Sequence, residues 1–260
     1  MSPKLVKKLA DKKHRTETGL FLVEGEKSVH ELLNSNYVVE TIFGTDTFLH
    51  GLDFLLKSYE KRTGFQPVEI IPTKEEELVK MGTLVSNNAG IAVAVQKPPS
   101  DMESIERTAK TGFLLALNDV RDPGNLGTII RTADWFGITH IIASPTTTDV
   151  YNPKTISSTM GSFTRVAVSY HELSPLLTHM KEVGIPVVGA TLQGSNVHFG
   201  HLPDHGILLM GSESHGISSE LSAHITQVVT IPKYGEAESL NVSVATGILL
   251  DALKRGSSHI

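Results

Sequence analysis

The sequence predicts an α/β protein of two domains, and three observations carry that reading. Short apolar runs alternate with stretches of helical periodicity along the 260 residues. In the second half the apolar runs are continuous, as strands buried on both faces of a parallel sheet require. A polar stretch at 98–111, opened by Pro98 and Pro99, separates the two sets. The expected division is therefore a small amino-terminal α/β domain over 1–97, a linker over 98–111 and a larger domain over 112–260.

Composition narrows the chemistry. With 23 Lys plus Arg against 28 Asp plus Glu, the net charge of −5 excludes a wholesale basic nucleic-acid binder, so any polyanion must be held locally. The absence of cysteine removes disulfide scaffolds, thiolate zinc sites, iron–sulfur clusters and cysteine nucleophiles. No apolar core follows the basic amino terminus, and no run approaches the roughly 18–20 apolar residues of a membrane span. A cytoplasmic protein is expected.

The first fifteen residues carry Lys4, Lys7, Lys8, Lys12, Lys13 and Arg15 against Asp11 alone, a local charge of +5, so the remaining 245 residues sum to −10. Leu5, Val6 and Leu9 fall at helical spacing, which predicts one basic amphipathic helix, either a solvated face or a polyanion site. Strands are expected at 20–23, 38–43, 68–71 and 90–95, with helices at 26–33, 46–61 and 75–81. In the second half strands are expected at 113–117, 139–143, 165–168, 186–190, 207–210 and 227–231. No fixed-period repeat points to a solenoid or propeller.

Three loops follow strands of the second half and could carry chemistry. NDVRDPGNLGTIIRTADWFG, from Asn118, has Asp122 to cap a helix, Pro123 for its first turn and Gly137 for its exit. Leu126, Ile129, Ile130, Ala133 and Phe136 share one stripe of that helix, while Gly127, Thr128, Arg131 and Trp135 lie opposite. Arg131 is then either a solvated charge or a cation shown to a cleft at the carboxyl end of the strand, where open α/β sheets place ligands. GSESHGIS places Gly211 and Gly216 around Glu213, and glycine there permits close backbone approach. In IPKYGEAESLNVSVATGILLDALKR, Ser239 is expected to cap a helix whose core stripe is Leu240, Val244, Ile248, Leu249 and Ala252. That reading leaves Asn241 in the first turn unexplained.

Other chemistries fare worse. His198, His201 and His205 have spacings that suit zinc, but Gly200 and Pro203 break the helix that would align them. The chain has no GxGxxG after a strand, no GxxxxGK[ST], and no G-x-S-x-G nucleophile elbow.

In order and wording, the three loops resemble the motifs of the SpoU (TrmH-like) branch of the SPOUT RNA methyltransferases across 118–250. Upstream, KKHRTETGLFLVEGEKSVHELL is similar to the start of the L30e-type substrate-binding domain that many of these enzymes carry. The resemblance implies a parallel-sheet SPOUT domain whose segment near 186–254 forms a deep trefoil knot. It implies 2′-O-methylation of a ribose in structured RNA, ribosomal more than transfer RNA, with S-adenosylmethionine as donor and a homodimer as the working form. By that resemblance Arg131 is catalytic, and Asn125, Glu213, Ser239 and Asn241 orient it and the hydroxyl. Gly211, Ile231, Leu240 and Thr191 bind the donor, and Lys7, Lys8, Lys12, Lys13 and Arg15 are taken as RNA contacts. The chain departs from the family pattern at Ser214, where glycine is common, and at Lys233, where an apolar residue is common. A tRNA methyltransferase, a base methyltransferase and a non-catalytic ribosome-assembly factor of the same fold remain open alternatives.

Overall fold

A computed structural model describes residues 1–199, 201–212 and 215–257. The first elements are α1 (Pro3–Lys8), α2 (Lys12–Thr18), β1 (Leu20–Glu24), α3 (Glu26–Leu33), β2 (Val39–Gly44) and α4 (Asp46–Thr63). There follow β3 (Glu69–Pro72), α5 (Glu75–Met81), β4 (Gly90–Val95), α6 (Met102–Thr111), β5 (Phe113–Leu117), α7 (Pro123–Trp135), β6 (His140–Ala143) and α8 (Pro153–Thr159). The chain continues through β7 (Ala167–Tyr170), α9 (Leu173–Glu182), β8 (Val187–Asn196), β9 (Gly206–Met210), α10 (Ser219–Ser222), β10 (Gln227–Thr230) and α11 (Val242–Ser257). It divides into two compact units: Met1–Pro98 together with Asp149–Arg165, and Pro99–Thr148 together with Val166–Ile260.

The division departs from the expected one in two places. The stretch read as a linker contains α6, whose Ile105 and Ala109 are buried in the core of the second unit. Residues 149–165, expected in the second domain, belong to the first unit, where Ile156 and Phe163 fill its core.

In the first unit the sheet order is β1-β4-β2-β3, with β4 antiparallel to both neighbours and β2 parallel to β3. The two-residue period of the strands loads both faces. Phe21, Val23, Ala92 and Ala94 meet Leu32 of α3 and Leu52 and Tyr59 of α4. Leu20, Leu22, Ile91 and Val93 meet Val6, Leu9, Leu78 and Met81.

Two helices stand where one amphipathic helix was expected. Asp11 takes extended backbone and its carboxylate accepts the Lys13 N–H at 2.9 Å, which caps α2 and breaks the run. Lys7, Lys8, Lys12 and Lys13 are exposed, but Arg15 is not. Its side chain is 2% exposed, and its Nε and one terminal nitrogen donate to Asp149 Oδ2 at 3.0 and 2.7 Å. The other terminal nitrogen donates to the Leu9 and Ala10 carbonyls at 2.8 Å. The RNA-contact expectation for Arg15 is therefore overturned: all its donors turn inward, to groups that would otherwise be buried without partners.

In the second unit six strands, all parallel, run in the order β10-β8-β9-β5-β6-β7. Ile105 of α6 and Leu176, Leu177 and Met180 of α9 pack on Leu114, Ala116, Ile207 and Leu209. Helix α7 buries Leu126, Ile129, Ile130 and Ala133, and packs with α11. Gly127, expected on the outer face, is buried too, and Phe136 only partly.

Helix α11 corrects the expected stripe. Leu249 and Ala252 are buried, with Val242, Leu250 and Leu253, but Leu240 is 47% and Val244 51% exposed and Ile248 half-buried. Beginning at Val242 rather than just after Ser239 leaves Leu240 before the helix, and the buried face runs through Thr246. Among the described residues no helix is long and apolar enough to cross a membrane.

Truncating one partner of a buried, hydrogen-bonded ion pair leaves the other charge stranded. Arg15→Ala is expected to cost about 3–5 kcal/mol in urea unfolding, whereas Lys13→Ala, at an exposed site, should stay within about 0.5 kcal/mol.

Candidate functional site

The strand order places the candidate residues of the second unit. From β5 the sheet grows through β6 and β7 on one side and through β9, β8 and β10 on the other. The crevice beyond the carboxyl ends of β5 and β9 is thus a topological switch point, the position where parallel sheets open to ligands. Asn118 enters that edge with its N–H on the Met210 carbonyl at 2.9 Å.

Helix α7 leaves the edge with a capped first turn. The Asp122 carboxylate accepts the Asn125 N–H at 2.8 Å, and Pro123 occupies a position whose missing N–H costs nothing. The side chain of Asn125 meets the third motif, its Oδ1 accepting from Asn241 Nδ2 at 3.0 Å. Asn241 is the cap of α11: its Oδ1 accepts the Ser243 N–H at 2.9 Å and its carbonyl accepts the Ala245 N–H at 2.9 Å. The expected cap, Ser239, is exposed and lies upstream of the helical turn. Asn241 thus performs the capping, and its amide nitrogen still reaches the first motif.

Beyond β9 the chain doubles back at once. Ser212 and Gly216 exchange two backbone hydrogen bonds at 3.0 Å, and the His215 N–H donates to Ser212 Oγ at 3.1 Å. A Cβ on Gly211 would come within 2.1 Å of the Gly216 carbonyl carbon, so glycine at 211 is required by the closure of the loop itself. Gly216 has φ +65°, in the left-handed region. Glu213, expected in the site, and the departing Ser214 lie outside the described residues.

Strand β8 contributes an interruption. Its register with β10 jumps from Gly189 opposite Val228 to Ser195 opposite Val229, so residues 190–194 leave the ladder. Thr191 lies in that bulge, with its hydroxyl donated to the Gln193 carbonyl at 2.5 Å. Ile231 follows β10 directly and is half-buried. None of Thr191, Gly211, Ile231 and Leu240 is charged, so what they offer a ligand is main chain and apolar surface.

Arg131 stands apart. It is exposed in the third turn of α7, about 12 Å along the axis from Pro123 at 1.5 Å per residue. Among the described residues no hydrogen bond or ion pair joins it to Asn125, Ser239 or Asn241. Trp135, one turn on, is 85% exposed. One chain therefore unites Asn125 with Asn241 and leaves the guanidinium elsewhere. Among the described residues no three His, Asp or Glu side chains are placed to hold a metal, and His205 instead pairs with Asp204 at 2.7 Å.

The sequence reading passed over the turn after β5. Asp119 has φ +58°, and Ser144 Oγ accepts its N–H at 2.9 Å. Its carboxylate accepts from Arg121 Nε at 2.8 Å. That pairing, with the Thr146 hydroxyl, holds the Asp119 carboxyl below the usual range against the opposing effect of desolvation. The available signal was an Asn-Asp pair at the exit of a buried strand, where left-handed backbone is most often found outside glycine.

Residues 112–251 match the SpoU rRNA Methylase family, and residues 3–87 match the MRM3-like substrate binding domain. The chain is 32% identical to the 23S rRNA (guanosine(2553)-2'-O)-methyltransferase RlmP of Bacillus subtilis, over 95% of this chain and 94% of that protein. It is 29% identical to the 23S rRNA (uridine(2479)-2'-O)-methyltransferase of Streptomyces viridochromogenes, over 95% and 87%. The crystal structure of an AdoMet-bound rRNA methyltransferase from Sinorhizobium meliloti superposes with a TM-score of 0.85 at 29% identity, covering 97% of this chain and 94% of that one.

The two cap assignments are separable by mutation. Asn241→Ala should cost about 1 kcal/mol in urea unfolding, while Ser239→Ala, which removes no cap, should change stability by less than about 0.5 kcal/mol.

Proposed function

The chain belongs to the SpoU rRNA methylase family, and from that premise we propose that it is an S-adenosylmethionine-dependent RNA methyltransferase that alkylates a ribose 2′-hydroxyl in ribosomal RNA. The observation that carries the reading is the Asn241–Asn125 hydrogen bond, which joins the first and third motifs at the carboxyl edge of a parallel sheet.

The residues at that edge fit the donor. A sulfonium already bears positive charge, and Thr191, Gly211, Ile231 and Leu240 present no cation to repel it. The half-buried Ile231 and exposed Leu240 supply apolar surface for a ring, and the loop main chain supplies hydrogen bonds. When bound, S-adenosylmethionine supplies a methyl group activated by its sulfonium.

What remains is the hydroxyl, a poor acid in water. The protein must stabilise negative charge developing on the oxygen or accept its proton. Arg131, a guanidinium with five N–H donors and no acceptor, is a costly base and a good donor, so its role is to position the oxygen and stabilise its charge. Asn125 and Asn241 orient the hydroxyl, with Glu213 and Ser239 completing the set.

The distance of Arg131 from the sheet edge supports a homodimer in which it serves the donor loops of a second copy. The exposed Trp135 and Val244 offer apolar surface for that contact. The return of α11 to α7 after β10 at the sheet edge supports a trefoil knot over about 186–254. The exposed Lys7, Lys8, Lys12 and Lys13 of the first unit hold RNA, and the protein works in the cytoplasm.

The reading is tested by tritium transfer from labelled donor to an unmodified 23S rRNA transcript. The expected product is an alkali-resistant linkage, and label in an alkali-labile product would refute ribose methylation. Arg131→Ala should abolish transfer while leaving donor binding by calorimetry within about twofold. Neutralising the four lysines should weaken RNA binding and reduce the slope of log K against log salt by up to about 3.

A further inference from the structure

We propose that Arg121, at the mouth of the switch-point crevice, is a phosphate-binding residue that docks the RNA backbone beside the reacting ribose; this rests on the RNA-methyltransferase reading above. Three observations support it.

The first is a turn held firmly in an uncommon conformation. Asp119 adopts φ +58°, an uncommon conformation for a residue with a side chain, and turns the chain sharply at the exit of β5. The turn is fastened from the exit of β6. Ser144 Oγ accepts the Asp119 N–H at 2.9 Å, Thr147 Oγ1 accepts the Val120 N–H at 3.3 Å, and both hydroxyls are buried. The fastening fixes Asp119, whose carboxylate holds the exposed Arg121, and an ion pair with one partner so exposed contributes little to stability.

The second is the orientation of the guanidinium. Its Nε is committed to Asp119 Oδ1 at 2.8 Å, yet the side chain remains 77% exposed. Held by one edge, the fork keeps its terminal nitrogens available, and their spacing matches two oxygens of one phosphodiester. Asp119, with 20% side-chain exposure, is rigid enough to limit the rotamers the arginine must give up on binding.

The third is place. Asn118 is bonded to the last residue of β9, and Asp122 opens α7, so Arg121 lies between the Gly211 loop and the turn that carries Asn125. His215, in that loop, lies within electrostatic range of Asp119. A phosphate held here would fix the backbone at the crevice rather than at the lysines of the first unit.

The experiment compares wild type, Arg121→Gln and Arg121→Lys in salt-titrated filter binding to an unmodified 23S rRNA transcript. It adds steady-state methyl transfer and calorimetry with S-adenosylmethionine. Arg121→Gln is expected to lower the salt slope by about 0.7–0.9, the share of one phosphate contact, and to raise the KM for RNA about tenfold with kcat within twofold. Donor affinity and the unfolding midpoint should not move. Arg121→Lys, which keeps the charge without the fork, should restore the slope and only part of the KM. An unchanged slope and KM in Arg121→Gln would overturn the proposal. So would a loss of donor affinity with RNA binding intact, which would assign the guanidinium to the donor's carboxylate, or a loss of kcat alone. Failure of the wild type to methylate the transcript would strike the parent reading instead, and the slope comparison would still decide whether Arg121 meets phosphate.

Discussion

The buried pair between Arg15 and Asp149 is the constraint on which the first unit turns. It spans 134 residues of sequence, and it ties the amino-terminal helices to a segment that enters from the second half of the chain. Four hydrogen bonds satisfy the guanidinium, so its charge is tolerated where an unpaired one would not be. In the same unit the aromatic rings of Phe21, Tyr37, Tyr151 and Phe163 lie within 4.5–6.1 Å centroid to centroid, in tilted and edge-on pairs. Directional polar contacts in a buried setting select one arrangement, where apolar packing alone would accept several.

The second unit follows a different logic. Its parallel sheet is buried by helices on both faces, so its polar, adaptable surface is confined to the strand ends. Gly211, Asn125, Asn241 and the Asp119 turn all occur there because the edge is where backbone leaves the ladder. What Gly211, Asn125 and Asn241 offer is backbone and amide rather than acid and base. That suits a reaction whose electrophile arrives activated, and whose remaining demand is to place one oxygen and tolerate its charge.

Most strands were legible in the sequence because continuous apolar runs have few other uses in a chain of this composition: 90–95 and 113–117 coincide with β4 and β5, and 207–210 falls within β9. Motif order singled out Asn125 and Asn241, and their side chains do meet. What local patterns could not carry were choices settled by distant partners. Arg15 looked like one more surface cation, because nothing near it in sequence announces Asp149. Ser239 and Asn241 are both good caps, and the tie with Asn125 favours the second. The exposed Val244 was read as core because periodicity reports that a stripe is apolar and not whether this chain covers it.

The interleaving of the first unit also bears on how the protein is made. Val23, Val29 and Leu52 wait for Ile156 and Phe163 to close over them. A nascent chain that has just released its first hundred residues still lacks that covering. Completion must await emergence of the fragment ending at Arg165. During that interval of synthesis, greasy strands sit open to chaperones and to each other. Stalled translation before that point would release a sticky, protease-sensitive intermediate rather than a finished module.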